Sequence, residues 1–519
     1  MNHTSPQKLA SISADLPNYE TWTREELIAR LKELSESPTT TNNTSPSSHH
    51  NPPPPSIPPK KQKTEKPKRE FNFSAYATRK IALKFSYAGA GYGGLAWQAG
   101  PTPLPTVEGV LFAALAKARL VDPEGGLEGC GWERCGRTDR GVSAAGQVVS
   151  LYVRCSNRPS SSSSSSSGAN ASIGTTSDHL HLDTPTEQQT TTGGKGEGGE
   201  VEGERGSGGG GGGGGVRYLH TLNGILPPSI RVYAWAPVAP TFSARFSCRA
   251  RHYKYFFSAR NLDVAAMREG AARLVGEHDF RNLCKLDPSK QLTSFRRRIL
   301  RADISPLPFH NDAGNDARMH VLDLVGTAFL YNQVRHIMAV LLLIGARLEA
   351  PHIVSALLNV DPEVEVEVEV DDESADREEQ QPLPRVTCKP EYQMADALPL
   401  VLWECAYDAE DAPWRTDDAG MEGGSVGLYS QLVGLAERAE VEATLAEHFL
   451  AAASGLHGPG PGSGGVIRQG GGACDVPLGG GTVRREGKYV RLLSRRRLES
   501  VEIVNARWRS RKERRSNIT

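Results

Sequence analysis

The chain has no CxxC pair, no apolar run long enough to cross a bilayer, and no net charge. Its eight cysteines are scattered over 519 residues, and the nearest two, Cys130 and Cys135, have no second pair or set of histidines beside them. That spacing excludes a disulfide scaffold and a zinc finger, and points to a reducing compartment with no structural zinc. The longest apolar stretch, Ile337–Ala346, stands between His336 and Arg347 and falls well short of the ~20 residues a membrane span needs. No apolar segment follows a basic start at the N-terminus, so neither secretion nor membrane insertion is expected.

Lys and Arg together number 60, as do Asp and Glu, which taken alone argues against a polyanion partner. The balance hides a segregation. Residues 361–379 hold eleven acidic side chains against Arg377, whereas 484–515 hold thirteen Lys and Arg against Glu486, Glu499, Glu502 and Glu513. A basic end of that kind can meet phosphate even though the whole chain is neutral.

Only 38% of the residues are hydrophobic, and the glycine content is inflated by the unbroken run Gly208–Gly215. Four stretches look unable to build a core: 1–77, about 156–216, 361–381 and 408–484. What remains is enough for two ordinary domains or one large one. The leader contains one expected helix, with Thr23 and Glu26 forming a capping box ahead of Leu27, Ile28, Leu31 and Leu34. A basic cluster from Lys60 to Arg69 follows. It reads as a nuclear localisation signal or a weak RNA-binding arm, giving nucleus or cytoplasm as the expected location.

Order begins at Lys80. Ile81, Leu83, Phe85 and Tyr87 alternate and predict a half-buried strand, followed by a glycine-rich turn over Gly89–Gly94. Thr106 opens a helix with a stripe of Val107, Val110, Leu111, Ala114, Leu115 and Ala118. Gln147–Val153 is apolar on both faces, as a central strand is. Arg231–Trp235, Arg251–Phe257 and His320–Val325 read as further strands. Asp263 caps a helix ending at Gly276, and a second helix carries Leu330, Val334, Ile337, Leu341 and Ile344 inward. Strands and helices alternate without the short connections of a doubly wound sheet, so the fold class is α+β.

The densest chemistry lies in Arg134-Cys-Gly-Arg-Thr-Asp-Arg-Gly-Val-Ser-Ala145. It sets Asp139 among Arg134, Arg137 and Arg140. A carboxylate among three guanidinium groups is expected to stay ionised and to serve as nucleophile or base, and the arginines to meet phosphate. Charge alone leaves a salt-bridged turn equally open.

Arg137-Thr-Asp-Arg-Gly-Val-Ser-Ala-Ala-Gly-Gln-Val-Val149 resembles the signature loop of the TruA family of tRNA pseudouridine synthases. Lys80–Tyr87 with the turn to Trp97 is similar to that family's first strand. Leu222-Asn-Gly-Ile-Leu-Pro227, Phe242-Ser-Ala-Arg-Phe246 and Arg251-His-Tyr-Lys-Tyr255 resemble its central block, and Gly326-Thr-Ala-Phe-Leu-Tyr-Asn-Gln-Val-Arg-His336 its helix-opening motif. The blocks fall in the family's order over about 80–407, less the insertions. Ser143, Phe71-Asn-Phe-Ser74, Glu26–Leu34, Lys389-Pro-Glu-Tyr-Gln-Met-Ala395 and Tyr489–Val501 further resemble the eukaryotic branch acting on positions 38 and 39 of the anticodon arm.

The resemblance implies an isomerase with no cofactor and no metal, and tRNA as its substrate. It makes Asp139 the catalytic aspartate, attacking C1′ or assisting removal of the 2′ proton. Arg335 is then its ion-pair partner, holding the aspartate's pKa low, and Tyr253 the active-site tyrosine, stacking on the base and near the proton that leaves C5. Arg137 becomes the residue that fills the space of a flipped nucleotide, with Arg134, Arg140, Arg245, Arg251 and the basic tail on phosphate. Two domains are implied, 78–240 and 241–407, each an antiparallel sheet with helices on one side and the active-site cleft between them. A disordered leader (1–77), insertions at about 156–216 and 361–381, and a variable region with a basic tail (408–519) complete the chain. Relatives commonly dimerise, which makes a homodimer one implied assembly. Other tRNA sites, a non-catalytic tRNA-binding protein on the same fold, and a hydrolase using Asp139 are the competing readings. The last lacks a second carboxylate nearby in sequence.

Overall fold

The computed structural model describes residues 71–155, 216–307, 319–360, 384–416, 424–457 and 474–516. All lie in the second of the chain's two compact units, Glu70–Thr519. The expected leader helix, the basic cluster and nearly all of both insertions lie outside the described residues.

In chain order the main elements are β1 (Thr78–Tyr87), α1 (Val107–Lys117), β2 (Glu133–Arg134), β3 (Ser143–Arg154), α2 (Tyr218–Asn223), β4 (Ile230–Pro237), β5 (Ala250–Ser258), α3 (Val264–Ala272), β6 (Gly276–Asp279), β7 (Arg296–Pro306) and β8 (Met319–Gly326). They continue with α4 (Gln333–Gly345), α5 (Ile353–Leu358), β9 (Leu400–Ala406), α6 (Gly424–His457), β10 (Cys474–Gly479), β11 (Thr482–Glu486) and α7 (Val501–Ser516). The strands and helices expected between 80 and 345 are all present, and the α+β class stands. Thr106 and Asp263 cap their helices as expected, accepting from the amides of Gly109 and Ala266.

One nine-stranded sheet runs through both halves in the order β4-β1-β3-β9-β5-β8-β7-β6, with β2 paired to β3. Its pairings are antiparallel except at the seam. There β3 and β9 run parallel over only two residue pairs, Ser143 with Val401 and Ala144 with Leu402. Strand β9, late in the sequence, is therefore inserted between the early strand β3 and β5. Two hydrophobic clusters flank the seam. The first gathers Ile81, Leu83, Phe85, Leu111, Leu115 and Leu151, and the second Tyr255, Phe257, Met267, Leu324 and α4. The seam interlocks them: Leu402 and Cys405 of β9 join the first cluster, Val142 joins the second, and Tyr253 packs against both.

The amphipathic reading of α4 is exceeded. Every residue of the helix is buried except Arg335, because the C-terminal segment covers the face that a surface helix would expose. β10 packs on α4, and Cys474, Val476 and Leu492 enter its cluster. The expectation that 408–484 builds no core is thus corrected for Ala412, Cys474 and Val476. Glu349, just after α4, accepts from Tyr489 Oη at 2.6 Å and from the Leu492 amide at 2.7 Å. The acceptor that anchors the tail is a buried carboxylate, a partner no sequence pattern announces.

Gly146 shows how tight the seam is. A Cβ there would strike the Trp403 carbonyl and lie 2.9 Å from Glu404 Cα, both in β9. Gly146→Ala is expected to destabilise the protein by about 1–3 kcal/mol through overpacking, read as a lower midpoint in chemical denaturation. An unchanged midpoint would show that the seam is looser than this register implies.

Candidate active site

The loop between β2 and β3 carries Asp139 and is held on several sides by backbone. The Cys135 amide donates to Val148 O at 2.9 Å, Gln147 Nε2 to Gly136 O at 3.0 Å, and the Val142 amide to Asp139 O at 3.1 Å. The glycine-rich turn after β1 is what lets the chain approach this loop. A Cβ at Gly89 would collide with the Val142 carbonyl, and one at Gly94, which has φ +112°, would lie 3.2 Å from Thr138 O. Ser143 accepts from the Gly89 amide at 2.9 Å, so its hydroxyl serves the turn.

Asp139 is half buried. Asn332 donates its side-chain amide directly to the Asp139 carboxylate. Asn332 has φ +58°, a left-handed conformation that asparagine tolerates better than most residues. It occupies the N-cap of α4, but its side chain caps nothing and reaches Asp139 instead. Arg335 and Lys285 act on the same carboxylate through their charge. Arg335 Nε donates to Ala395 O at 2.8 Å, which fixes the guanidinium on the one unburied position of α4.

Two expectations are corrected here. The cations facing Asp139 are Arg335 and Lys285, not the neighbouring Arg134, Arg137 and Arg140. And burial pushes the Asp139 pKa up, outweighing Arg335, Asn332 and Lys285, which pull it down. The cost of removing a carboxylate from water exceeds what two cations and one amide return.

Tyr253 reaches the same region by register. Tyr87, Ala144, Leu402, Tyr253 and Leu324 form one row across β1, β3, β9, β5 and β8, and paired residues share a sheet face. The Tyr87 hydroxyl meets Thr138 Oγ1 at 2.6 Å, one residue from Asp139. The Tyr253 ring packs edge-on against Phe329 at 4.9 Å, on the segment that leads to Asn332. Burial raises the Tyr253 phenol far above its ordinary value, so the hydroxyl stays neutral. Asn332 and Arg335 thus act on Asp139 from the start of α4, while Tyr253 lies in the sheet row of Tyr87 and packs on Phe329.

Comparison with known proteins bears on this arrangement. A family model described as tRNA pseudouridine synthase matches residues 271–374, which include α4 and Arg335. The tRNA pseudouridine(38/39) synthase of Saccharomyces cerevisiae is 32% identical over 497 residues, covering 95% of this chain and 92% of its own length. The chain belongs to the TruA family of tRNA pseudouridine synthases. The mouse and human proteins of the same name are 37% and 36% identical over 357 and 360 residues, or 68% and 69% of this chain and 60% and 61% of their own lengths. The synthase is accordingly an isomerase with tRNA as its substrate.

The arginines of the synthase divide into two groups. Arg137, Arg140 and Arg245 are exposed, and Arg245 stacks on Phe246, which is 80% exposed, at 5.1 Å. Arg134 and Arg251, both expected on phosphate, are engaged internally. Arg134 pairs at 2.6 Å with Glu108, a fully buried carboxylate that also accepts from Trp132 Nε1. Arg251 donates to Thr327 O at 2.8 Å, Cys135 O at 3.2 Å and Arg245 O at 2.8 Å, tying three segments across the seam. Sequence adjacency to Asp139 or to β5 does not reveal which carbonyls and carboxylates will compete for a guanidinium.

Sequence reasoning also missed Asn332, Lys285 and Tyr331. Tyr331 is 48% exposed beside Asp139, whose charge, together with burial, raises its phenol, and Lys285 Nζ lies 5.7 Å from its ring. Asn332 stands inside the Gly326–His336 motif, but its left-handed backbone and its bond to Asp139 are visible only in the structure. Lys285 stood in no motif. Cys135, Cys248 and Cys405 meet in the interior from three distant segments, which their spacing could not announce.

Removing Asn332 takes away a donor that favours the Asp139 anion. Asn332→Ala is expected to raise the Asp139 pKa further, moving the acidic limb of the pH–rate profile to higher pH and lowering activity at neutral pH by about tenfold or more. Superimposable profiles would exclude this role. Because the folded pKa of Asp139 lies above its unfolded value, its contribution to stability is present at low pH and is lost as pH rises through the folded pKa. Asp139→Asn is therefore expected to be inactive yet to melt at or above the wild-type temperature at pH 7, with the advantage narrowing toward acid pH.

Proposed function

We propose that this synthase converts uridine to pseudouridine at positions 38 and 39 of the tRNA anticodon arm. The sites are those in the names of its yeast and mammalian relatives. The observation that carries the catalytic assignment is the partly buried Asp139 carboxylate, accepting from the Asn332 amide and acted on by the charges of Arg335 and Lys285.

The reaction breaks N1–C1′, turns the uracil, and joins C5 to C1′. No atoms are gained and no net oxidation occurs. Asp139 either attacks C1′ or takes the 2′ proton, and both routes need its anion. Substrate contact supplies what the free enzyme lacks: a developing positive charge at C1′ stabilises the carboxylate that burial alone disfavours. Arg335 steadies the anion before and after that step. Tyr253 stacks on the base, and its neutral hydroxyl passes on the proton leaving C5. The target base must first leave the RNA stack, at a cost of a few kcal/mol, and Arg137, exposed two residues before Asp139, fills the vacated space. Arg140, Arg245 and α7, with Arg507, Arg509, Arg511, Lys512, Arg514 and Arg515, hold phosphates.

A hydrolase reading needs a carboxylic acid partner. Among the described residues, the groups acting on Asp139 are one amide and two cations, which disfavours it.

Purified protein is expected to form pseudouridine in an anticodon stem-loop without added nucleotide or reductant, and Asp139→Ala to bind the same RNA and form none. Full product from that variant would refute the assignment, and position-resolved mapping that finds other uridines modified, with 38 and 39 untouched, would refute the branch. Arg140→Ala and Arg245→Ala should each weaken RNA binding and flatten its salt dependence by roughly one phosphate contact. Arg134→Ala and Arg251→Ala should instead lower thermal stability.

A further inference from the structure

Cys135 follows β2, Cys248 precedes β5, and Cys405 lies in β9. All three are buried with free thiols, and their sulfurs lie within 4.8 Å of one another. A buried cysteine is ordinarily a small apolar side chain, and a single one would need no further account. Three sulfurs converging on one point from three segments is the pattern of a ligand set. Zinc bound to thiolates at about 2.3 Å requires sulfurs roughly 3.8 Å apart, within reach of small side-chain rotations from this arrangement.

The surroundings suit a thiolate site. Arg251 donates to the Cys135 carbonyl at 3.2 Å. The Tyr407 hydroxyl lies beside the Cys135 sulfur and donates to Ala244 O. Oxygen-seeking ions such as magnesium or calcium do not match three sulfurs, whereas soft d10 ions do. Charge selects among these. Three thiolates with a divalent ion carry one negative charge, which Arg251 neutralises, while a monovalent ion leaves one charge uncompensated in the interior.

We propose that Cys135, Cys248 and Cys405 form a three-thiolate zinc(II) site, with the Tyr407 hydroxyl adjoining Cys135. On loading, each thiol gives its proton to solvent and its sulfur lone pair to the ion, with no change of oxidation state. The ion takes no part in isomerisation. It joins the segment leading into the Asp139 loop to β9 and to the approach to β5; Arg251 links the first and last of these by hydrogen bonds to Cys135 O and Arg245 O.

The test uses the full chain, purified without a histidine tag and without chelator, and measures metal by elemental mass spectrometry. About one zinc per chain is expected, retained in Cys155→Ser, whose thiol lies outside the cluster, and lost in Cys248→Ser and Cys405→Ser. Should those variants fail to fold, wild-type protein exchanged into cobalt(II) decides, with thiolate-to-cobalt charge-transfer absorption in the near ultraviolet expected. Metal-free wild-type protein with all eight thiols titrating overturns the proposal, as does a count of six thiols, which would mean a disulfide. Copper in place of zinc overturns the charge argument that selects the ion. These readouts do not depend on pseudouridine formation, so they stand or fall apart from the proposed activity.

Discussion

A carboxylate taken out of water sets the terms for the rest of this molecule. Burial works against the Asp139 anion, and the groups that partly offset it come from remote places: Asn332 and Arg335 from the start of α4, and Lys285 from the segment between β6 and β7. Asn332 and Arg335 can act only if α4 is held at a fixed distance from the β2–β3 loop. Enclosing α4 almost completely, with Arg335 as its one unburied residue, meets that demand. The covering is completed by β10 and Leu492, so a segment near the C-terminus contributes to the placement of Arg335.

The seam is the second part of the same constraint. A sheet assembled from two sequence halves has to be closed, and here the closure is two residue pairs of parallel β3–β9 pairing. So short a ladder is weak alone. It is reinforced by Tyr253 packing on both hydrophobic clusters, by Arg251 bridging three carbonyls, and by the convergence of Cys135, Cys248 and Cys405. Rigidity at this junction is bought with polar and sulfur groups, because the apolar surface on either side is already committed to its own cluster.

The Lys389 motif shows how a motif can be legible while its function is not. Lys389 Nζ donates to Cys284 O at 2.7 Å and lies about 3 Å from the His336 ring nitrogens, and burial lowers its pKa to about 7. The same burial lowers His336 to about 2. Next to Arg335, then, stands a neutral imidazole whose neighbour is a lysine only marginally charged, so the guanidinium meets less repulsion than the residue types suggest.

Period-two and period-3.6 patterns located β1, α1, β3, β4, β5, α3, β8 and α4, and the capping residues at Thr106 and Asp263, because those features depend on neighbours within one turn or one strand; β2, α2, β6 and β7 (Arg296–Pro306) were not read from the sequence. The Asp139 motif and the Arg335 motif were equally readable, each being a local run of residues. Which cations act on Asp139, which arginines stay exposed, and that the pKa of the carboxyl is pushed up and not down were decided only by tertiary structure. The reason is physical: a guanidinium is claimed by whichever carbonyl or carboxylate the fold brings nearest, and desolvation depends on what covers a group, not on what precedes it in the chain. Glu108 claims Arg134, three carbonyls claim Arg251, and β9, which begins at Leu400 long after β3 ends at Arg154, closes the sheet beside the loop on which Asp139 stands.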